Sequence, residues 1–454
     1  MPAVHDLPTE ILCAIFELSA AEVGHIAGRH SSYIAQSPAP STSSTSAAAA
    51  TTAETHAAPP ADTTNFCALP SQKDFLLHCI ALSHVCARWR YVAIDLQALW
   101  TRLTLGRNAF VSRNYTDVKA TDTTALFLSR SADLPINLDI AFSLDDPPLP
   151  LSWIQKSRYE ENIRRVLLPH IQRFHSLRLM SSELVITAVL DVFLERNLSS
   201  SPNDTAYTPL THLHLVQILP SSSITSTSTA SAIPQCVQPF FPPDLSLVAP
   251  HLTTLRVDGV PISAFPRWRL EHVALRDTFL SYQNHFHLFM KTRISRLVLH
   301  RVMIPGGLPY VRRLIKQHAS SVTTLSLSEL RCAGPADEHQ DIYTLFFTLS
   351  LYHTLRDLEL AGLSQEAMVG LVVMLGASPL VVFVELRRLV LKGLDVSLSA
   401  GEAMAAAFPA VSEMVLECVK GAPELVYGLW QGNVGIWPEL VEVSLDGELV
   451  KRSM

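Results

Sequence analysis

From residue 174 onward the chain repeats one short pattern, which is apolar-x-x-apolar-x-apolar. Ten segments carry it, and their last apolar positions are 179, 215, 257, 275, 299, 327, 360, 391, 416 and 445. The separations run from 18 residues (257 to 275) to 42 residues (215 to 257). Side chains two positions apart lie on the same face of a β-strand. Each segment therefore predicts a strand that buries one face, and the stretches 364–375 and 400–408 predict helices between strands.

Ten matches at a roughly regular spacing indicate a repeat architecture, because stacked neighbours can bury the face that one strand leaves open. Over residues 174–445 the sequence resembles the leucine-rich repeat family, and the resemblance implies a solenoid of stacked units. That family usually places Asn or Cys three positions after the last leucine. This chain has other residues there, beginning with Ser182 and Ile218, so its turns must satisfy their backbone polar groups in another way.

Two N-terminal segments show the spacing of amphipathic helices. In residues 6–20, Ile11, Leu12, Ile15 and Phe16 form one apolar stripe at i, i+1, i+4 and i+5. Pro8 suits the first turn of that helix, where its missing N–H would have no partner anyway. In residues 75–100 a second stripe consists of Leu82, Val85, Cys86, Trp89, Val92 and Ala93. A box this small cannot enclose both sides of its helices, so the stripes predict a partner as well as a core.

These segments resemble the F-box, in the form common in mushroom-forming (basidiomycete) fungi. The resemblance lies in LPTEILCAIFEL (7–18), LSHVCARWRYVAI (82–94) and LWTRLTL (99–105). The stretches SADLPINLDI (131–140) and LLPHIQRFHSLRL (167–179) are similar to the segments that follow the box in those proteins. The family binds a Skp-type adaptor, which joins a cullin and a RING subunit in a ubiquitin ligase. Carried onto this sequence, the implied adaptor-binding residues are Leu7, Pro8, Ile11, Leu12, Ile15, Leu82, Val85, Cys86 and Trp89.

Together these readings predict an α + α/β fold, in which an N-terminal three-helix F-box-like module precedes an irregular leucine-rich-repeat solenoid. The module spans 1–105, a connecting or capping region spans 106–173, and the solenoid spans 174–454. Residues 31–72 are rich in Ser, Thr, Ala and Pro, and we expect them to be a disordered insert because they bury too little apolar area to order. A Ser/Thr-rich loop is expected at about 220–235.

The composition and charge of the chain argue against several classes of function. The 454 residues carry a formal net charge of −6, which gives no basic footprint for nucleic acid, and no polybasic run favours a membrane surface. Seven widely spaced cysteines without a CxxC pair indicate reduced thiols, so we expect a cytoplasmic or nuclear protein. His78, Cys79, His84 and Cys86 lack the spacing of a zinc site, and no nucleophile elbow, P-loop or dinucleotide motif occurs. We therefore expect no enzyme activity, cofactor or metal.

The outward positions of the predicted strands change in charge along the chain. Early segments carry basic or titratable residues there, and late segments carry mostly acidic ones, with Arg388 and Lys392 as exceptions. The candidate client-binding residues are Arg178, His214, Arg256, Arg276, Arg296, Glu359, Glu413, Glu417 and Glu442. One interpretation is that exposed strand positions are simply polar. The other is that a bipolar face orients a protein client by complementary charge.

The resemblance implies a client-recruiting subunit of a Skp-cullin-F-box ubiquitin ligase. The box would bind the adaptor, the repeats would bind an unknown protein client, and the chain would supply proximity without catalysing a reaction. The alternative is a leucine-rich-repeat interaction scaffold that is not coupled to ubiquitination.

Overall fold

The structure is a computed structural model of the chain. It describes residues 8–16, 79–106, 119–142, 153–199, 209–218, 245–260, 270–279, 293–304, 321–332, 353–377, 382–423, 425–426, 437 and 439–451. The predicted disordered insert at 31–72, the predicted loop at 220–235 and Leu7 lie outside these residues. The chain divides into two compact units, one made of residues 1–105 and 117–139 and the other of residues 106–116 and 140–454.

Fifteen strands occur in the described residues. They are β1 (Arg102–Leu105), β2 (Ile136–Ala141), β3 (Phe174–Ser181), β4 (His212–Gln217), β5 (Thr254–Asp258), β6 (His272–Arg276), β7 (Arg296–His300), β8 (Met303–Ile304), β9 (Thr324–Ser328), β10 (Arg331–Cys332), β11 (Asp357–Ala361), β12 (Arg388–Lys392), β13 (Glu413–Glu417), β14 (Glu442–Leu445) and β15 (Glu448–Lys451). Thirteen of them form one sheet in chain order, while β8 and β10 pair separately. Neighbours from β3 to β14 are parallel, and β15 returns antiparallel to β14.

Helices precede the sheet and alternate with several of its strands. They are α1 (residues 9–16), α2 (residues 79–83), α3 (Ala87–Asp95), α4 (Lys119–Arg130), α5 (Trp153–Leu167), α6 (Glu183–Ser199), α7 (Leu245–Val248), α8 (Gln365–Ala377) and α9 (Leu398–Ala407). Serine side chains cap the N-termini of α8 and α9. Ser364 Oγ accepts from Ala367 N at 3.2 Å, and Ser397 Oγ accepts from Ala400 N at 3.2 Å. None of the helices in the described residues has both the length and the apolar composition needed to cross a bilayer.

The predicted fold class, a three-helix module followed by an irregular leucine-rich-repeat solenoid, is wrong. The structure instead has a thirteen-stranded, mainly parallel sheet with helices. This sheet includes β1 and β2, from regions that the prediction assigned to the helical module and to a connecting region. The physical reason is that an apolar residue at every second position reports only that one face of a strand is buried. It does not report where the sheet begins or whether its units form a regular coil.

The ten segments with the recurring pattern are the strands β3–β7, β9 and β11–β14. Their register places the second apolar position of each segment in one continuous row across the sheet, and the last apolar position in another. The first row is Leu177, Leu213, Leu255, Val273, Leu297, Leu325, Leu358, Leu389, Met414 and Val443, and each is buried. This register fixes which side chains lie on the opposite, outward face, since a slip of one residue would reverse every strand.

The turns after the strands satisfy their backbone with a ladder of left-handed residues. Gly259, Asp277, Arg301, Glu329, Gly362 and Gly393 each follow a strand and have a positive φ between 46° and 74°. Each donates its N–H to the carbonyl of the last residue in the next strand, as Asp277 N does to His300 O at 3.0 Å. The structure thus answers how the turns manage without the Asn or Cys of the leucine-rich repeat family.

A second ladder of hydrogen bonds lies where the strands start. There, two consecutive N–H groups donate to the carbonyl of the residue just before the neighbouring strand, as Thr323 N and Thr324 N do to Ser295 O, which precedes β7. Hydroxyls at the same position add a further bond, and Thr253 Oγ1 and Thr323 Oγ1 donate at 3.1 Å and 3.0 Å. Hydrogen bonds between neighbouring strands therefore hold the backbone at both ends of the strands. They fix the relative positions of the outward side chains.

Candidate functional site

The N-terminal helices enclose a small core. Its buried members are Leu12, Phe16, Cys79, Leu82, Val92, Ala93, Leu99 and Trp100. The rings of Phe16 and Trp89 meet edge to face with centroids 4.9 Å apart, and Trp100 Nε1 donates to Ala93 O at 2.8 Å. Two predicted adaptor-binding residues, Leu12 and Leu82, therefore belong to this core, and Ile15 and Trp89 pack against it while half-buried.

Other apolar side chains of the same helices remain exposed. Ile11 on α1 is 47% exposed, and Val85 between α2 and α3 is 59% exposed. Tyr91 and Ile94 on α3 are 72% and 38% exposed and lie one helical turn apart. Ile11 and Val85 were among the predicted adaptor-binding residues. Tyr91 and Ile94 were not predicted, although both occur within the quoted F-box segment. We call Ile11, Val85, Tyr91 and Ile94 the exposed apolar set.

The two cysteines of this region have local structural roles. Cys86 begins α3, because its Sγ accepts from Trp89 N at 3.4 Å. Cys79 is buried, and its Sγ lies 3.5 Å from Leu99 O. Burial raises the pKa of the Cys79 thiol to about 12, so it stays protonated and unreactive near neutral pH. Pro8, the remaining predicted adaptor-binding residue in the described part of the chain, is exposed.

On the outward face of the large sheet, all nine predicted client-binding residues occupy three rows. The first row runs His212, Thr254, His272, Arg296, Thr324, Asp357, Arg388, Glu413 and Glu442. The second includes Arg178, His214, Arg256 and Glu359, and the third includes Asp258, Arg276, His300, Lys392 and Glu417. We call the outward positions of β3–β7 the basic half and those of β9–β14 the acidic half.

The basic half is organised around Asp258, which the sequence analysis missed. His214 Nε2 donates to Asp258 Oδ2 at 2.9 Å, and Arg256 Nε donates to the same oxygen at 3.1 Å. The side chains of His214, Arg256 and Asp258 are only 21%, 22% and 18% exposed. The position of Asp258, directly after the last apolar residue of its segment and in the row of Arg276, is the sequence signal that could have revealed it.

The charges in this cluster shift the titration of its members. Burial lowers the pKa of His214, and the neighbouring charges of Arg256 and Arg178 add to that, against the opposing hydrogen bond with Asp258. Burial would raise the pKa of Asp258, but the hydrogen bond from His214 and the charge of Arg256 outweigh it and hold that pKa low. The contact is therefore a hydrogen bond from a neutral imidazole to a carboxylate near pH 7, not an ion pair.

The acidic half holds its charges in pairs. Arg388 Nε donates to Glu413 Oε1 at 2.7 Å, with side chains 47% and 44% exposed. Lys392 Nζ lies between two carboxylates, 2.9 Å from Glu359 Oε1 and 3.4 Å from Glu417 Oε2. The two residues that the sequence showed as exceptions to the acidic trend, Arg388 and Lys392, are therefore cations that pair with three of its carboxylates. Glu442, at the end of the first row, is exposed, whereas the other predicted acidic residues are half-buried.

No protein-family model matches this chain, and no curated protein matches it. The family membership implied by the F-box resemblance therefore stays a prediction. Among the described residues, no three His, Cys, Asp or Glu side chains converge as metal ligands would. The arrangement presents two groups of side chains of different character, exposed apolar ones on the N-terminal helices and charged ones on the sheet.

Proposed function

We propose that this protein is a client-recruiting subunit of a Skp-cullin-F-box type ubiquitin ligase, acting in the cytoplasm, the nucleus or both. Its N-terminal helices bind the Skp-type adaptor, and the outward face of the sheet binds a protein client. The support comes from the F-box-like segments at 7–18, 82–94 and 99–105, taken together with the surface that these segments present.

The exposed apolar set carries the proposal. Beneath it the core is already complete, since Leu12, Phe16 and Trp100 are fully buried. Ile11, Val85, Tyr91 and Ile94 therefore remain apolar at positions where polar residues would not disturb the core. Apolar area that a partner covers contributes about 25 cal/mol per Å², so these four exposed side chains are the ones that a docked adaptor would cover.

In this role the protein contributes proximity and supplies no acid, base or metal. It holds a client near the conjugated ubiquitin and so raises the local concentration of the reacting lysine. Catalysis belongs to other subunits of the ligase.

The test is capture of a purified Skp-type adaptor by the full chain, measured by calorimetry. The variant Ile11→Asp/Val85→Asp places charges in the docking surface without touching the core. We expect binding to weaken by about 30-fold or more, since interface hot spots contribute about 2 kcal/mol or more each. Leu12→Asp is unsuitable, because Leu12 is 0% exposed and a buried carboxylate there would unfold the module.

Val441→Asp/Leu449→Asp is the matched control, because it also adds two charges at exposed apolar positions. Val441 and Leu449 are 60% and 53% exposed, against 59% and 47% for Val85 and Ile11. The control should bind the adaptor as the unchanged protein does. If the unchanged protein does not bind the adaptor, the chain is instead an interaction scaffold that is not coupled to ubiquitination. If both variants bind the adaptor as well as the unchanged protein does, the exposed apolar set is not the docking surface.

A further inference from the structure

We propose that the basic half of the sheet, and not the whole bipolar face, is the client-reading surface, and that it binds an acidic peptide segment bearing unmodified Asp or Glu side chains. The inference deepens the proposed function and rests on it only for the role of the peptide as a client. Peptide binding and adaptor binding are measured separately, so each can fail alone.

The first reason is the balance of charge. Outward positions of β3–β7 carry Arg178, Arg256, Arg276 and Arg296, against Asp258 as the one acid of those described positions. With the histidines neutral, this gives a net charge of +3. The acidic half carries five acids, Asp357, Glu359, Glu413, Glu417 and Glu442, against Arg388 and Lys392. Its net charge is −3, and three of its five acids, Glu359, Glu413 and Glu417, are already paired with Arg388 or Lys392.

The second reason is where those charges sit. Arg256 is 22% exposed, whereas Arg388 and Glu413 are 47% and 44% exposed. Solvent and salt screen half-buried charges much less than exposed ones. An anion that reaches the basic half therefore gains more per contact than a cation that reaches Glu413 or Glu417, which are both 44% exposed. The acidic half has one carboxylate as buried as Arg256, Glu359 at 16% exposure, and Lys392 already pairs with it.

The third reason is the shape of the patch. Between the charged positions, the sheet carries small side chains that leave room for a bound chain. Ala274 and Val298 are neighbours in the second row, on β6 and β7, and both are buried. Five adjacent strands at about 4.8 Å spacing span roughly 19 Å, which an extended chain crosses in about six residues. A run of about six residues with several carboxylates matches this length.

The chemistry favours a peptide over a nucleic acid. Outward positions of β3–β7 include no Phe, Tyr or Trp among the described residues, so the large aromatic side chains on which bases usually stack do not occur there. The whole chain carries a net charge of −6, which opposes a polyanion that extends beyond the patch.

The experiment uses the full chain and fluorescent ten-residue peptides, and it measures affinity by anisotropy at about 50 mM and about 300 mM salt. One peptide has six central Glu residues, a second has six Gln, and a third has three phosphoserines with a similar total charge. The Glu peptide should bind, and its affinity should fall with salt. The Gln peptide should not bind.

Arg276→Gln/Arg296→Gln should weaken binding of the Glu peptide about tenfold, which corresponds to about 1.4 kcal/mol. Arg331→Gln/Lys420→Gln removes the same charge from exposed positions off the outward rows and should change it less than about twofold. Urea unfolding checks that the variants are folded. If the double variant is unfolded, Arg178→Gln alone should weaken binding about threefold.

Three outcomes overturn the proposal. One is no binding of the Glu peptide at low salt. Another is an equal loss in the two double variants, which would mean that binding follows net charge alone. The third is binding confined to the phosphoserine peptide, since the ligand would then be a phosphate and not a carboxylate.

Discussion

The two halves of the sheet share one register and one backbone, but they handle charge differently. In the basic half, His214 and Arg256 donate to one oxygen of Asp258, and all three side chains are about four-fifths buried. In the acidic half, the charges form pairs such as Arg388 with Glu413, nearly half exposed. The first arrangement therefore depends on a single carboxylate, while the second distributes its stability over several replaceable contacts.

Asp258→Asn tests that dependence and should have the largest effect. The substitution keeps the size of the side chain, and the amide oxygen of Asn can still accept from both His214 and Arg256. It removes the negative charge that the Arg256 guanidinium faces. Removing one partner of a buried charge pair costs about 3–5 kcal/mol. Because Asp258 retains 18% exposure, we expect a loss of about 2–3 kcal/mol in the free energy of unfolding, measured by urea titration.

Glu413→Gln is the corresponding change in the acidic half. It also removes a carboxylate that is bonded to an arginine, but at 44% exposure. Exposed pairs contribute at most about 1 kcal/mol, so its loss should be under that value. Equal losses in the two variants would show that the halves do not differ in the way described.

The sequence predicted the local strands of this structure but not its architecture. The spacing of apolar residues correctly located the ten strands from β3 to β14, because alternation follows directly from the burial of one face. The fold class built on them was wrong. The segment WTRLTL (100–105) fits the same pattern, which favours a capping strand there, and it contains β1 (Arg102–Leu105). The segment of β2 (Ile136–Ala141) does not carry the pattern, and spacing alone does not show that both strands belong to the same sheet as the other ten.

The site shows the same division. Helical spacing placed Ile11 and Leu12 in one apolar stripe, but only tertiary packing decides that Leu12 is enclosed while Ile11 is 47% exposed. On the sheet, the period of two correctly assigned Arg178, His214 and Arg256 to one face. The role of Asp258 depends on two strands meeting in register, which no local window of sequence reports.

Lys392→Met removes the cation that two carboxylates of the acidic half share. It leaves Glu359, which is 16% exposed, and Glu417 next to each other without the cation between them. We expect a loss of about 1–2 kcal/mol in the free energy of unfolding, because repulsion between the carboxylates is added to the lost attraction. Added salt should recover part of that loss by screening the repulsion.

Lys420→Met serves as the control for this change. Lys420 is 83% exposed, and its Nζ lies 3.1 Å from Asp395 Oδ2, so it also removes a paired lysine. The loss should be below about 0.5 kcal/mol. A loss as large as that of Lys392→Met would mean that burial of the partner carboxylate does not set the size of the effect.

Acidification should affect the basic half more gently than either substitution. The pKa of His214 lies below its ordinary value of 6.5 in the folded protein, because burial and then the charges of Arg256 and Arg178 disfavour its protonation. The unfolded chain therefore binds the proton more readily, and stability falls as the pH drops below about 6.5. Asp258 does not contribute in this window, since its low pKa keeps it ionised and its stabilisation is lost only nearer pH 4.

His214→Gln isolates that contribution. The Gln amide can still donate to Asp258 but does not titrate, so the fall in unfolding midpoint between pH 7.5 and pH 5.5 should be smaller than in the unchanged protein. His353→Gln, at an exposed position, should leave the fall unchanged. Burial also lowers the pKa of His170 and His212, so part of the pH dependence should survive in His214→Gln. A pH dependence identical to that of the unchanged protein would mean that the cluster around Asp258 does not hold His214 neutral.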